Sequence, residues 1–410
     1  MTEIQKQFEE AGFDIVDFNQ PSDIVLLNTC TVTNNADADS RKVIRKAIRN
    51  NPSAFIAVMG CYSQLHPDEV VQIEGVDAIF GTNNKFDIQK LIGTFEKKKS
   101  PEIFIPDLSD VPFHFASSVD TDCRTRIVFK IQDGCDYVCT YCAIPFARGG
   151  SRSMDFGELK TKFLEMNETK YHEVVLSGIN LGEYKAPSGE KFIDVIRFIS
   201  ESDLNYRVRI SSIEPNLLTN EIIELVRNSK NLCKHFHIPF QSGSNEILRK
   251  MKRRYNAETF ERLIYQINDS MSDCGIGLDV IEGFPGESDE NFQETYNLID
   301  RLPLSYLHVF TYSPRDTTEA SKFTNQVPAN IRKERTKLLR ELSEKKKSEF
   351  LNSQIGTIRT VIPEKSVQSG DVYMNKGWTE NYIFTQFKSD MELTEPATVK
   401  ILTGTESIII

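Results

Sequence analysis

No stretch of this 410-residue chain approaches the ~20 consecutive apolar residues that a membrane-spanning helix needs, so no helical anchor is expected. Cysteine is sparse. Eight in a chain of this length are too few for a disulfide scaffold, and their placement suits a metal held in a reducing cytosol. Positive charge is not in excess either: 49 Lys and Arg stand against 59 Asp and Glu, a net charge of −10. That balance argues against broad, non-specific nucleic-acid binding, while leaving room for RNA at local basic concentrations. The opening MTEIQKQFEEAGF lacks the basic and apolar regions of a secretory signal, and a cytoplasmic location is expected. No internal repeat or low-complexity tract is present. With 39% hydrophobic and 26% charged residues, the composition is that of an ordinary globular protein of roughly two or three domains.

What is there stands out against that background. Cys135, Cys139 and Cys142 lie in KIQDGCDYVCTYCAIPFARGGSRS at a C-x3-C-x2-C spacing. Three thiols on one short loop can hold three corners of a cubane iron–sulfur cluster, which is normally held by four thiolates. No fourth cysteine is close, the next being Cys123 and Cys233, so one iron would stay open to a ligand. A zinc site is the alternative, but no histidine or cysteine at finger-like spacing completes a tetrahedron.

Three segments separate by pattern, and α/β is the fold class they imply. In residues 1–115, strand-like runs IVLL (24–27), FIAVMG (55–60) and AIFG (78–81) alternate with helical stretches, which reads as a parallel sheet with crossover helices. Cys30 follows the first run and Cys61 the second. Ligands of open α/β sheets bind at the carboxyl ends of strands, so the two thiols could converge on one site or be unrelated buried cysteines. Residues 101–122 read as a linker. Over 121–350, six strand candidates (127–132, 173–178, 207–212, 235–240, 277–284 and 305–312) alternate with amphipathic stretches, suggesting a partial (βα)6 TIM-like barrel. A charged helix follows at 329–351. Residues 352–410 look all-β, consistent with a small barrel.

Each barrel strand should deliver polar or bare positions to its carboxyl end. Gly178, Glu214, Gln241, Asp279 and Gly283 are candidates for holding a small cofactor, with His237 either in the core or in the pocket. Singly, each is more readily a cap or turn residue; their shared place at strand ends is what favours a site. Five cations fall within six residues at Arg249, Lys250, Lys252, Arg253 and Arg254, and Arg148 and Arg152 lie just past the cysteine loop. Such runs are usually solvated faces, but beside a site rim they suit RNA. The last segment carries five basic and seven acidic residues, so charge does not support RNA binding there. Tyr373, Trp378, Tyr382 and Phe384 could stack on bases or pack a core.

The cysteine loop, with Tyr141 between its last two thiols and Ala-Ile-Pro after them, resembles the signature of radical S-adenosylmethionine (SAM) enzymes. Nearly the whole chain resembles the methylthiotransferases of that class, which carry an α/β domain, a radical SAM barrel and a C-terminal β domain called TRAM. IQDGCDYVCTYCAIPFARGGSRS, VLSGINLGEY, RISSIEPNLL, HFHIPFQSGS and YLHVFTYSPR are similar to the branch acting on N6-threonylcarbamoyladenosine in tRNA. The resemblance implies a 4Fe–4S cluster on Cys135, Cys139 and Cys142 that cleaves SAM, with Tyr141 among the cofactor-binding residues. It implies an auxiliary 4Fe–4S cluster on Cys30 and Cys61, and methylthiolation at C2 of the adenosine beside the anticodon. The partners would be a tRNA anticodon stem-loop and a reducing electron donor, with the protein a monomer.

Two departures accompany the resemblance. Family members hold the auxiliary cluster with three cysteines, and only Cys30 and Cys61 match here. Either the start is truncated, which is the expectation, or the second cluster is impaired. Glu282 stands where the family usually has an apolar residue. The competing functions are methylthiolation of another tRNA adenosine or of a ribosomal-protein aspartate, and a non-catalytic RNA-binding homologue.

Overall fold

The computed structural model describes residues 2–31, 33–109, 111–119 and 125–410. Cys123 lies outside them. The chain divides into two units: residues 1–118, 134–151 and 313–322 form one, and residues 119–133, 152–312 and 323–410 the other.

In the first unit, β1 (Ile24–Thr29), β2 (Phe55–Gly60), β3 (Ala78–Phe80) and β4 (Glu102–Phe104) form a parallel sheet in that order. Both faces are covered. On one, Ile44 and Ala47 of α2 (Asn34–Asn50) meet Val25, Leu27, Ile56 and Val58. On the other, Ile4 and Phe8 of α1 (Thr2–Glu10) meet Phe55, Ala57 and Met59. A strand covered on both faces must be apolar throughout, which is why FIAVMG is buried at every position. The Thr33 hydroxyl caps α2 by accepting from the Ala36 N–H at 3.1 Å, a contact that contributes about 1 kcal/mol. The expected linker at 101–122 is corrected in part: residues 116–119 are a further strand, 110 and 120–122 lie outside the described residues, and residues 102–104 pair with β3 as the fourth strand. Three residues are too few to show an alternation.

In the second unit, six parallel strands follow in chain order: β5 (Arg126–Lys130), β6 (Glu173–Ser177), β7 (Arg207–Ile210), β8 (His235–Gln241), β9 (Gly275–Glu282) and β10 (Tyr306–Thr311). A Val208–Leu232 bridge and the Ile213 N–H donating to the His237 carbonyl at 3.1 Å join the two halves between β7 and β8. Helices at 156–165, 192–201, 220–228, 245–250, 257–270 and 289–301 fill the crossovers, giving the partial (βα)6 barrel. The long helix Ala329–Ser353 packs behind β10: the Ser343 hydroxyl accepts from the Leu307 N–H at 3.0 Å, and Thr336 meets Thr311 at 2.7 Å. Leu307 and Thr311 therefore face outward. By alternation, Tyr306, His308 and Phe310 face the barrel interior.

The C-terminal residues form β11 (Ile358–Ser369), β12 (Val372–Thr379), β13 (Phe384–Ser389), β14 (Ala397–Ile401) and β15 (Ser407–Ile409), a sheet of order β13-β12-β11-β14-β15. A Gln386–Glu406 bridge brings its two edges together, so the barrel is nearly closed. It sits under the (βα)6 barrel. Arg209 donates to the Thr379 and Glu380 carbonyls at 2.9 and 3.1 Å, and Arg207 to the Trp378 and Thr360 carbonyls at 2.8 and 2.9 Å. Tyr382, with φ of 67°, lies 4.3 Å from the Trp378 ring and 4.5 Å from His235. These two aromatics thus close the barrel base, while Phe384 stays exposed.

Gly275 sits at that seam, where a β-carbon would collide with the Asn381 carbonyl. Backbone cannot give way as a flexible side chain can. Gly275→Ala should therefore cost about 1–3 kcal/mol, read as a lower urea midpoint. An unchanged midpoint would show that the seam yields freely.

Candidate active site

The cysteine loop belongs to the first unit. It leaves the barrel strand through Gln132–Asp133 and returns through Arg152–Ser153, which pair antiparallel. Inside the loop the Cys135 N–H donates to the Gly149 carbonyl at 3.2 Å, and the Cys142 N–H to the Cys139 carbonyl at 3.0 Å. All three thiols are free of disulfides; Cys139 is buried and Cys135 and Cys142 half-buried. Backbone bonds hold this loop, and the Cys135 sulfur also accepts from the Tyr137 N–H at 3.4 Å. Three thiols on one loop, none of them in a disulfide, fit a cubane cluster with one open iron. Tyr141 is half-buried between the last two.

Cys30 and Cys61 each directly follow a strand, and the register of β1 with β2 pairs Thr29 with Gly60. The two cysteines therefore emerge side by side at the carboxyl edge of adjacent strands. Gly60, with φ of 106°, permits this: a β-carbon there would strike the Thr29 carbonyl. Among the described residues these two supply half the thiolates a cubane normally takes. The helix Cys61–Leu65 packs on the helix Ile144–Arg148 that follows Cys142, and the Thr82 hydroxyl donates to the Ala147 carbonyl at 2.8 Å. Both cysteine groups thus lie within one packed unit.

A segment that the sequence reading passed over ties the two groups together. Arg315 is buried, pairs with Asp37 at 2.6 Å, donates to Asn34 at 2.7 Å and contacts Thr31, next to Cys30. Five residues on, the Ala320 N–H donates to the Thr140 carbonyl at 2.8 Å, between Cys139 and Cys142. The signal was present as Arg315 in YLHVFTYSPR, but nothing local says which loops it meets.

The barrel-borne candidates occupy the second unit. Neither amide atom of Asn180 finds a partner among the described residues, although the side chain is buried. The Gln241 amide oxygen is likewise buried and unpaired, on a residue held at φ of 64°. Orphaned buried amides at the ends of β6 and β8 fit a polar ligand such as SAM. Asn180 was missed as a site residue, since an asparagine after a strand reads first as a cap. Gly178 lies against Gln132, whose amide oxygen accepts the Ile179 and Asn180 N–H groups at 2.9 and 3.0 Å. Gly283, at φ of 71°, begins a turn whose N–H donates to Glu287. Burial pushes the Glu287 carboxyl up to about 7 despite Arg335 at 3.0 Å.

On the inner face, Asp279 Oδ1 lies 3.0 Å from His237 Nε2 and 3.3 Å from His308 Nδ1. His237 Nδ1 is 3.3 Å from the Tyr306 hydroxyl, which lies 2.9 Å from His235 Nε2. Burial would raise the Asp279 carboxyl, but its bonds to His237 and His308 outweigh that and hold it down at about 2. His237 is therefore turned to the inner face of the barrel, where it meets Asp279 and Tyr306. Glu282 points the other way: it is buried against the long C-terminal helix and accepts from the Thr336 hydroxyl at 2.6 Å.

The basic run needs a correction. Arg253 is not a surface cation: its side chain is 2% exposed, pairs with Glu214 and donates to the Pro239 carbonyl. Glu214 is accordingly engaged rather than open, and burial pushes its carboxyl above the ordinary range in spite of Arg253. Lys250 pairs with Glu246 at 2.7 Å. Arg249, Lys252 and Arg254 are exposed. Arg152 and Lys130 both pair with Asp133 at 3.2 Å, while Arg148 ends the helix after Cys142.

Comparison with known proteins adds the following. Residues 129–299 match the radical SAM superfamily, and residues 1–81 match the uncharacterized protein family UPF0004. The threonylcarbamoyladenosine tRNA methylthiotransferase MtaB of Bacillus subtilis (strain 168) is 38% identical over 399 residues, covering 95% of this chain and 87% of that protein. The tRNA-2-methylthio-N(6)-dimethylallyladenosine synthase of Acetivibrio thermocellus is 29% identical over 395 residues, covering 94% and 81%. Among solved structures, the radical SAM methyltransferase TsrM from Kitasatospora setae superposes with a TM-score of 0.54 at 15% identity, over 78% of this chain and 68% of that one. That likeness is one of fold alone.

Proposed function

The chain belongs to the radical SAM methylthiotransferases, and from that premise we propose that it adds a methylthio group to C2 of N6-threonylcarbamoyladenosine beside the tRNA anticodon. It is a transferase, and it works with 4Fe–4S clusters and SAM. The observation that carries the substrate reading furthest is the 38% identity, over nearly the full chain, to a threonylcarbamoyladenosine tRNA methylthiotransferase.

When bound, cluster and SAM supply the one-electron chemistry; the protein supplies position and exclusion of water. In our reading Cys135, Cys139 and Cys142 hold the radical cluster, and Cys30 and Cys61 offer thiolates to the auxiliary one. Asn180 and Gln241 bind SAM through their orphaned amides. Gly178 and Gly283 shape the strand ends by letting Gln132 with Leu181, and Arg332, pack against their bare faces, Glu214 and Arg253 shape the rim as a pair, and Tyr141 lines the loop. Arg148, Arg249, Lys252 and Arg254 suit phosphate contacts, which position RNA without reading sequence. We assign the cluster-bearing domain to residues 1–115, the radical SAM barrel to 121–350 and a TRAM-like domain to 352–410.

The test is anaerobic reconstitution with iron and sulfide, then reaction with SAM, a reductant and tRNA carrying threonylcarbamoyladenosine. Mass spectrometry of the digested nucleosides should show the 2-methylthio product. Formation of 5′-deoxyadenosine without that product would overturn the reading. Iron content separates the reasons: about eight irons per chain would mean two cubanes, about four only the radical cluster.

A further inference from the structure

We propose that His237, Asp279 and His308 form the subsite for the polar N6 substituent of the target adenosine, and that His308 reads that substituent through Nε2. This rests on the functional reading above and deepens it.

The three side chains come from neighbouring strands β8, β9 and β10 and share the inner face of the barrel. Their ligand atoms all lie within 4.8 Å of one another. Asp279 Oδ1 takes one bond from each ring, which orients both imidazoles. With Nδ1 committed to Asp279, His308 has Nε2 left for a ligand. Its side chain is 53% exposed, against 12% for His237 and 24% for Asp279, so it is the member that an incoming group meets first. Deeper in, Tyr306 and His235 continue the hydrogen-bond chain and hold His237 from behind. Two residues further along β10, Phe310 is exposed on the same face and offers a ring on which a base can stack.

This wall is polar, anionic at its centre and aromatic at its outer end. A threonylcarbamoyl group carries a ureido N–H and a hydroxyl, which can donate to an imidazole or to Asp279, and a carboxylate, which can accept from an imidazole N–H. A dimethylallyl group carries none. Placing it here would strip water from Asp279 and His308 without replacing the lost hydrogen bonds. A site built to pair with a polar substrate group rejects the apolar analogue by roughly a hundred-fold or more.

The experiment compares kcat/KM of the reconstituted full chain on two tRNAs differing only at N6, one threonylcarbamoylated and one dimethylallylated. Wild type should prefer the first. His308→Leu should reduce that preference by about ten-fold or more, and His308→Gln, which still offers a hydrogen bond, should keep most of it. A purely structural role would lower both rates together; an unchanged ratio in His308→Leu overturns the proposal. A second measurement needs no variant: wild type on tRNA whose N6 group is a plain alkylcarbamoyl, without hydroxyl or carboxylate, should lose about ten-fold or more. Equal rates on that analogue overturn the proposal as well. Wild type that modifies dimethylallyladenosine and not threonylcarbamoyladenosine would instead sink the functional reading itself.

Discussion

Replacing Cys139 with Ala should reduce SAM cleavage to background, a loss of roughly a thousand-fold or more, because the residue acts as part of a unit. Iron after reconstitution should fall by about four per chain, since losing one of the three thiolates leaves a second iron of the radical cluster without its protein ligand. The fold should survive. The Cys142 and Ala320 N–H bonds go to backbone carbonyls of Cys139 and Thr140, and an alanine keeps both. Circular dichroism matching wild type, with 5′-deoxyadenosine at background, is the expected pair of results. Undiminished 5′-deoxyadenosine in the variant would remove the radical cluster from this loop, and methylthiolation with it.

Glu173→Ala should produce the largest loss of stability. Glu173 is fully buried at the start of β6, and Arg209 grips it with two bonds of 2.9 Å. Arg207 adds one at 2.6 Å, and Arg126 lies at 3.6 Å. Removing the carboxylate leaves buried guanidinium charge without its partner, a change that costs about 3–5 kcal/mol. Arg207 and Arg209 are also the clamps on the terminal β-barrel, so that domain should loosen too. The thermal midpoint should drop by on the order of 10 °C. A midpoint within error of wild type would mean the arginines are solvated in the absence of Glu173.

The pH dependence follows from the same group. Burial alone would raise the Glu173 carboxyl, but Arg209 and Arg207 outweigh it and hold it well below its ordinary value of 4.5. A carboxyl depressed in the folded state contributes stability above its unfolded value and loses it as pH falls toward the folded one. The wild-type advantage over Glu173→Ala should therefore be full at neutral pH and shrink progressively below about 4.5. Because the pair is buried, added salt should change it little.

Much of the site was legible before any fold was known. The spacing of Cys135, Cys139 and Cys142 is local, and a short loop delivers it whatever surrounds it. The placement of Cys30 and Cys61 after strands was also local. Their adjacency needed only the β1–β2 register. The basic run shows the opposite case. Arg249 to Arg254 looks uniform in sequence, yet Arg253 turns inward to Glu214, thirty-nine residues away, while Arg254 is exposed. Charge counting cannot see that, because desolvation and a buried partner decide it together.

By itself the sequence determined the order of strands and helices, the three-thiol loop and the strand ends where ligands gather, because these depend on periodicity and short spacings. Only tertiary structure decided the rest. Arg315 reaches the Cys30 loop from nearly three hundred residues away. His237, Asp279 and His308 meet because neighbouring parallel strands align in register. Asn180 is marked by what its buried amide lacks, and Tyr382 by the barrel base it closes. Each of these is a long-range contact, and no local pattern carries the partner's address.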